Sequence, residues 1–267
     1  MNQKNKIGII GCGWLGLPLA KLLIEKNYSV KGSSTSKEKL KELESFKIAP
    51  YLIEITDKEI KGEIILFLKN LDVLVINIPP NMRGDSKIDY SRKIELLAIQ
   101  AKEQSVNKII FVSSTSVYGS NQGKIDFSTE PNPTSKNGFE ILKSEKIISK
   151  KNKCTVIRFG GLIGKSRHPV YSLSKKKEVL NPKAPINLIH LKDCIQIIYT
   201  IIKMEAWGKT YLGVSPYHPS KIDYYNNKCE ELGLKKINFI NNNSINKEVT
   251  DSKIQTELNY TFIQPQL

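Results

Sequence analysis

The feature that most limits the fold is a glycine triplet near the start of the chain. Gly11, Gly13 and Gly16 stand in the spacing Gly-x-Gly-x-x-Gly, after the apolar run KIGII and before a helical pattern. The first glycine permits a tight turn, the second lets a diphosphate approach the backbone, and the third allows close helix–strand contact. The motif predicts a βαβ unit whose helix start binds a dinucleotide. The predicted contacts in this turn are Gly11, Cys12, Gly13, Trp14, Leu15 and Gly16.

Short apolar runs then alternate with longer helical patterns. Strands are predicted at KIGIIGCG, YSVKGSS, IAPYLIEIT, LDVLVINI, NKIIFVSS and CTVIRFG, with helices near 58–69, 89–105 and 135–150. Strands this evenly apolar belong in a parallel sheet that is covered on both faces. The sequence therefore predicts an α/β fold, a Rossmann doubly wound parallel sheet of about six or seven strands with a small C-terminal lobe.

The alternation weakens after about residue 165, where the predicted elements become shorter. We expect an NAD(P)-binding Rossmann domain over residues 1–165 and a smaller substrate lobe over 166–267. One strand and helix, 186–203, are expected to return to the main domain. The four cysteines are widely spaced without a C-x-x-C pair, which favours a reducing compartment and predicts neither disulfides nor a metal site.

The net charge of +15 raises the question of a nucleic-acid partner. Only four of the 41 basic residues are arginine (Arg83, Arg92, Arg158 and Arg167), and the lysines are scattered. Because phosphate and base recognition favours the forked guanidinium, we expect no nucleic-acid partner. The sequence shows neither a signal-like start nor an apolar run of membrane-spanning length, so we expect a cytoplasmic protein without membrane contact.

The end of the second predicted strand indicates which dinucleotide would bind. NAD sites carry an Asp or Glu here for the ribose hydroxyls, whereas this chain has Ser33, Ser34, Thr35 and Lys37. Hydroxyls and a lysine suit a 2′-phosphate, so NADP is preferred over NAD. The alternative is that Ser34 or Thr35 caps the following helix and that Lys37 is incidental.

Later segments carry a family resemblance. The order of the glycine triplet, Asn77-Ile78-Pro79-Pro80, the segment SSTSVYG (113–119) and the segment RFGGLIG (158–164) resembles an extended or atypical short-chain dehydrogenase/reductase. Within that superfamily it resembles the NAD-dependent epimerase/dehydratase group that acts on nucleoside-diphosphate sugars. The resemblance implies a small-molecule substrate of that kind and epimerase, dehydratase or oxidoreductase activity. It adds the cofactor contacts Ile55, Ile78, Pro79, Pro80, Ser113, Phe159, Gly160 and Gly161.

The same resemblance assigns Ser114 as the hydroxyl that polarises the substrate oxygen. Its partners in the family are a tyrosine and a lysine four residues later, on a helix whose motif closes with a glutamate that Glu145 resembles. Asn137 and Ile141 occupy those two positions, and neither side chain can transfer a proton.

Two hypotheses therefore stay open. One is an atypical NADP-dependent enzyme that uses Ser114 and an unidentified proton donor. The other is a non-catalytic NADP-binding sensor or scaffold. Arg167, in a predicted active-site loop, either pairs with a substrate phosphate or is a solvated arginine.

Overall fold

A computed structural model describes residues 5–80, 89–120, 122–241, 246–250 and 253–267. Arg83 lies outside these ranges. The strands of the described residues are β1 (Lys6–Ile10), β2 (Ser29–Ser34), β3 (Ala49–Ile55), β4 (Ile60–Gly62), β5 (Val73–Ile76), β6 (Lys108–Ser114), β7 (Gly123–Ile125), β8 (Lys153–Phe159), β9 (Gly161–Ile163), β10 (Val179–Leu180), β11 (Leu188–His190), β12 (Thr210–Gly213), β13 (Phe239–Ile240) and β14 (Lys247–Val249).

The helices of the same ranges follow the predicted alternation. They are α1 (Gly16–Glu25), α2 (Lys37–Ser45), α3 (Ile64–Leu68), α4 (Tyr90–Glu103), α5 (Lys136–Lys151), α6 (Val170–Leu173), α7 (Leu191–Met204), α8 (Lys221–Glu231) and α9 (Lys253–Glu257). A single 3₁₀ turn, Thr115–Val117, follows β6 directly. Within the described residues, no helix has both the length and the apolar character needed to cross a membrane.

One large sheet organises the chain. Its eight strands have the order β12-β8-β6-β5-β1-β2-β3-β4, and every pair is parallel except β3 with β4. The sheet lies between two buried apolar clusters, one on each face, to which the flanking helices contribute. The predicted doubly wound α/β fold is confirmed.

The central strands show why the sheet is covered on both faces. Along β5, Val73 and Val75 belong to the cluster that includes residues of α1 and α7, whereas Leu74 and Ile76 belong to the cluster with residues of α3, α4 and α5. All four side chains are fully buried. Since successive residues of a strand point to opposite faces, an unbroken apolar strand requires helices on both sides.

The segment predicted as a helix near 58–69 differs from the expectation. It contains a short strand, β4, that pairs antiparallel with β3, and the helix α3 begins only at Ile64. The turn between β3 and β4 is closed by Thr56, whose backbone N–H donates to the carbonyl of Glu59 and whose Oγ1 accepts from the N–H of that residue. A local turn thus takes up residues that the apolar pattern assigned to a helix.

The C-terminal part of the chain contributes both to the large sheet and to small ones. Strand β12 forms an edge of the large sheet beside β8, while β11 pairs with β9 and β14 pairs with β7 outside it. A third apolar cluster gathers residues of β9, α6 and α8. Residues from both sides of position 165 share the cluster that covers α1 and α7, so the domain boundary there stays a prediction.

The C-terminal tail is fixed to α7 by one buried carboxylate. Asp193 is fully buried in the first turn of α7. Its Oδ1 accepts from the Tyr260 hydroxyl at 2.7 Å and from the Ile263 N–H at 2.7 Å, and its Oδ2 accepts from the Gln264 N–H at 3.1 Å. Asp193 therefore holds three groups of the tail at once.

Replacing this carboxylate should release the tail. In Asp193→Ala, three donors lose a charged acceptor, and we expect the free energy of unfolding to fall by at least about 3 kcal/mol in denaturant titrations. Asp193→Asn keeps the oxygen that receives two of the bonds and should lose less. An alanine variant within about 1 kcal/mol of wild type would show that the tail is held by its apolar contacts instead.

Candidate active site

A cavity of about 740 Å³ opens where the strands β1, β2, β5, β6 and β8 end. In doubly wound sheets, ligands bind at this edge. The residues predicted for the site line the cavity, except Gly16 and Lys37. The predicted residues that line it are Gly11, Cys12, Gly13, Trp14, Leu15, Ser33, Ser34, Thr35, Ile55, Ile78, Pro79, Pro80, Ser113, Ser114, Asn137, Ile141, Phe159, Gly160, Gly161 and Arg167.

The glycine turn has the geometry that each glycine was expected to need. Gly11 adopts a φ of +97°, and its carbonyl accepts from the Asn77 side chain at 3.1 Å. A Cβ on Gly16 would collide with the Gly11 carbonyl oxygen, which explains why this position packs beneath the turn without lining the cavity. Gly13, in contrast, has nothing within 4 Å of where a Cβ would stand. The backbone there is open to a ligand.

The end of β2 presents hydroxyls and one cation. Ser34 and Thr35 line the cavity together with Lys39, while Lys37 does not. The Ser34 Oγ accepts from the Ser36 N–H at 3.1 Å, and Ser36 is the residue at the N-cap position of α2. Ser34 therefore shapes the turn that leads into the helix. The cation that reaches the cavity lies in the first turn of α2, two residues after the predicted one.

The hydroxyl-rich turn after β6 contributes two serines, Ser114 and Ser116, to the cavity wall. The Ser114 Oγ accepts from the Ser116 N–H at 3.1 Å, which leaves its own hydroxyl proton available to donate. The Ser116 Oγ is buried and has no hydrogen-bond partner among the described residues. The turn is braced from behind by Lys247, whose Nζ donates to the carbonyls of Thr115 and Tyr118 at 3.0 and 3.2 Å.

A buried polar network lies directly beneath this turn. Glu145 on α5 accepts from the Ser113 hydroxyl at 2.5 Å. It also pairs with both Nε and Nη2 of Arg158, at 3.1 and 2.7 Å. The Nη1 of Arg158 donates to the Tyr118 hydroxyl at 2.7 Å. The network ties β6, β8, α5 and the hydroxyl turn together, and Ser113 is thus a structural partner of Glu145 as well as a cavity residue.

The positions of the absent tyrosine and lysine face the cavity. Asn137 lies in the first turn of α5 and is exposed, and Ile141, one turn later, is buried. The N-cap of this helix is Ser135, whose Oγ accepts from the Gly138 N–H, so Asn137 has no capping role. An amide and an aliphatic side chain therefore stand in the cavity wall on the helix beside Ser114.

Cys12 and Tyr90 do not supply an alternative proton donor. Tyr90 lines the cavity, but its hydroxyl donates to the Ile78 carbonyl at 2.9 Å, and complete burial raises its pKa far above the usual value. Burial raises the pKa of the Cys12 thiol to about 12. Among the residues that the structure describes, the remaining ionisable groups of the lining are the cations Lys39, Lys93 and Arg167.

Arg167 reaches the cavity from the segment after β9. Its guanidinium carbon lies 4.9 Å from the centre of the Trp14 ring. The next residue, His168, turns away from the cavity: its Nδ1 accepts from the Val170 N–H and its Nε2 lies 3.0 Å from the Tyr224 hydroxyl. Burial lowers the pKa of His168 to about 4, so it is neutral near pH 7.

The polar residues of the cavity that were not predicted include Lys39, Lys93 and Ser116. Lys39 and Lys93 both lie in the first turn of a helix that follows a sheet strand, and this is the turn nearest the ligand edge of the sheet. The position of the two lysines in these first turns was the sequence signal that could have placed them in the cavity. Ser116 could not be separated from its neighbours, because the direction of each hydroxyl depends on the 3₁₀ turn.

Comparisons with known proteins agree with this architecture. No protein-family model matches the chain. It is 29% identical over 265 residues to Protein YeeZ of Escherichia coli K12, which is 97% of this chain and 96% of that protein.

Among solved structures, UDP-glucuronic acid 4-epimerase from Bacillus cereus in complex with NAD has a TM-score of 0.79 at 18% identity, covering 97% of this chain and 94% of that one. A short-chain dehydrogenase/reductase superfamily protein from Agrobacterium tumefaciens with bound NAD has a TM-score of 0.75 at 12% identity, with coverage of 96% and 92%. The chain therefore has the fold of NAD-dependent epimerases and of the short-chain dehydrogenase/reductase superfamily, and the predicted resemblance is confirmed at the level of the fold.

The buried pair beneath the site should be sensitive to the loss of one partner. Arg158→Met leaves Glu145 charged and unpaired, and we expect the free energy of unfolding to fall by about 3–5 kcal/mol. Arg158→Met combined with Glu145→Leu removes both charges and should recover at least half of that loss. Denaturant unfolding measures all variants.

The control is Arg92→Met, which breaks an arginine–glutamate pair on the exposed surface of α4 and should cost less than about 1 kcal/mol. If the double variant were as unstable as Arg158→Met alone, packing rather than charge would account for the loss.

Proposed function

We propose that this chain binds NADP in the cavity and uses it in hydride transfer with a small-molecule substrate, as an atypical oxidoreductase or epimerase of the short-chain dehydrogenase/reductase type. The observation that carries the proposal is the composition of the cavity wall. Among the described residues that line it there is no carboxylate, while Lys39, Lys93 and Arg167 are cationic. A wall of this charge favours a ligand with several phosphates.

The proposed orientation of the cofactor follows the order of the strands. The diphosphate lies at Gly13, at the start of α1, where the positive end of the helix dipole favours an anion. The adenosine ribose lies at the end of β2. The nicotinamide lies at the β6 and β8 ends, near Ser114, Phe159 and Gly160. The B. cereus epimerase, solved with NAD, has the same fold, which supports a nicotinamide cofactor.

The preference for NADP rests on the β2 end. Ser34, Thr35 and Lys39 line the cavity there, and no Asp or Glu within the described part of the chain does. A carboxylate at this point would bind the ribose hydroxyls of NAD and repel a 2′-phosphate. Hydroxyl donors and an ammonium group instead suit the phosphate of NADP.

A bound nicotinamide would supply the donor or acceptor of hydride. The part played by this chain is polarisation: the Ser114 hydroxyl, oriented by the Ser116 N–H, donates to the substrate oxygen. Such a donor stabilises the negative charge that develops on a carbonyl oxygen during reduction. Lys93 is the proposed proton donor, since Cys12 and Tyr90 are unsuited and since its helix, α4, packs against the helix that carries Asn137. The substrate class favoured by the resemblance is a nucleoside-diphosphate sugar.

A second candidate function is a non-catalytic NADP sensor or scaffold. One specific observation favours it: Asn137 and Ile141 both line the cavity, so the tyrosine and lysine of the family are absent from the cavity positions where they would act. General acid–base catalysis contributes about 10²–10⁴-fold to enzymatic rates, and its loss can leave a binding protein.

The cofactor preference gives the first test. We expect calorimetric titration to show NADP⁺ binding at least about tenfold more tightly than NAD⁺, and Lys39→Glu to reverse that order, because it replaces an attractive charge with a repulsive one. Lys37→Glu is the matched control: it makes the same change in the same helical turn, outside the cavity lining. If both variants lost the same affinity for NADP⁺, overall charge and not a 2′-phosphate site would set that affinity.

The second test separates the two functions. With NADPH bound, single-turnover reduction of a panel of carbonyl compounds and 4-keto sugar nucleotides should be slowed about 10²–10³-fold by Ser114→Ala, since one oxyanion donor is lost, while the affinity for NADPH changes less than twofold. Ser120→Ala, an exposed hydroxyl outside the cavity lining, is the control.

If wild type binds NADPH without turnover, and Asn137→Tyr with Ile141→Lys creates turnover, the sensor hypothesis replaces the enzyme. Turnover that is equal in wild type and Ser114→Ala would remove Ser114 from the mechanism. Slower turnover in Lys93→Met at unchanged NADPH affinity would support Lys93 as the proton donor.

A further inference from the structure

One contact joins the glycine turn to the segment after β9. Trp14 belongs to the Gly-x-Gly-x-x-Gly turn, and Arg167 follows β9 by four residues. The guanidinium carbon lies 4.9 Å from the ring centre, and both residues line the cavity. A guanidinium over an indole face is held by cation–π attraction while its edge donors stay available for other partners.

Arg167 is the arginine of the described residues that has no acidic partner. Arg92 pairs with Glu95 and Arg158 pairs with Glu145, whereas Arg167 makes no ion pair with any described residue. Its position is nevertheless defined. The backbone N–H of Arg167 donates to the Gly164 carbonyl, and its carbonyl accepts from the Gly164 N–H, both at 3.0 Å. The guanidinium itself is exposed and lies against the Trp14 ring, so its donors stay available for an anion in the cavity.

Trp14 contributes the face of its ring to the cavity wall. Its indole Nε1 is buried and closed off from the cavity. The part of Trp14 that a ligand could meet is therefore the ring, on which the Arg167 guanidinium lies.

We propose that Trp14 and Arg167 form a clamp that closes over a diphosphate held at the first turn of α1. This clamp rests on the proposed function, in which that diphosphate is part of the cofactor. The backbone N–H groups of Trp14, Leu15 and Gly16 bind one side of the diphosphate, and the Arg167 guanidinium binds the other. Because His168, beside it, is fixed to Tyr224 of α8, the clamp links ligand binding to the C-terminal part of the chain. A nucleoside-diphosphate substrate carries the same chemical group and is the second possible source.

The chain offers a direct optical probe, since it contains only two tryptophans, Trp14 and Trp207. In a Trp207→Phe background, Trp14 alone reports on the clamp. NADP⁺ should change its emission, and Arg167→Met in that background should weaken NADP⁺ binding at least tenfold. Arg167→Lys, which keeps the charge but not the planar fork, should give an intermediate loss. Arg92→Met, an arginine outside the cavity lining, should leave the affinity unchanged.

Three ligands separate the sources of the diphosphate. Adenosine 2′,5′-bisphosphate contains the adenosine end without a diphosphate, so Arg167→Met should change its affinity less than twofold. If Arg167→Met loses tenfold in affinity for NADP⁺ but not for UDP, the clamp binds the cofactor. If it loses affinity for UDP but not for NADP⁺, the clamp binds a nucleoside-diphosphate substrate.

The clamp would be overturned if folded Arg167→Met bound both NADP⁺ and UDP within twofold of wild type. It would also be overturned if the variant lost as much affinity for adenosine 2′,5′-bisphosphate as for the diphosphate ligands. If wild type binds UDP but neither NADP⁺ nor NAD⁺, the proposed cofactor function fails, while the UDP titration still decides the clamp. Denaturant unfolding of each variant establishes that it is folded.

Discussion

The buried ion pair between Glu145 and Arg158 is the interaction on which the candidate site depends. Two charges removed from water are stable only when each is paired and hydrogen-bonded. Here the pairing requires α5, β8 and the end of β6 to meet at one point, since Ser113 donates to the same carboxylate. Ser114 is the next residue, and successive residues of a strand point to opposite faces. By holding the end of β6, the pair therefore also positions Ser114 in the cavity wall.

A second contact that stabilises the hydroxyl-rich turn comes from the C-terminal part of the chain. Lys247, on β14, donates to carbonyls on both sides of the 3₁₀ turn, and the Asn187 side chain bonds to the backbone of residues 247 and 249. Burial lowers the pKa of Lys247, so its hydrogen bonds to the carbonyls must compensate a real desolvation cost. The Ser114 turn is thus held from below by the ion pair and from the side by the C-terminal strand.

The central architecture was predictable because it depends on local patterns. An unbroken apolar strand such as β5, and a glycine turn such as the one after β1, are each compatible with few other local structures. The short elements were not predictable. Strands β9 and β11 have three residues each and exist because they pair with one another, and β4 exists because a turn at Thr56 returns the chain to β3. Such pairings depend on tertiary contacts that leave no periodic signal in the sequence.

The cavity wall was predictable for a similar reason, since parallel strands bring their carboxyl ends to one edge. The choice between Lys37 and Lys39 was not, because the direction of a side chain on α2 depends on which serine begins the helix. Three hydroxyl residues in succession, Ser34, Thr35 and Ser36, are all acceptable N-caps. A shift of one residue in the start of a helix rotates every later side chain by about 100°.

The resemblance places a tyrosine and a lysine at positions 137 and 141, and their absence bears more on proton transfer than on cofactor binding. The glycine turn and Arg167 lie on β1, α1 and the segment after β9, whereas Asn137 and Ile141 lie on α5. In the proposed function, proton transfer from α5 could therefore be lost while cofactor binding is kept. A site that only binds a cofactor, however, would not need the Ser114 hydroxyl to be oriented by the Ser116 N–H. Because Ser114 lines the cavity and keeps a hydroxyl proton to donate, it is the feature of this turn that supports the proposed enzyme over the proposed sensor.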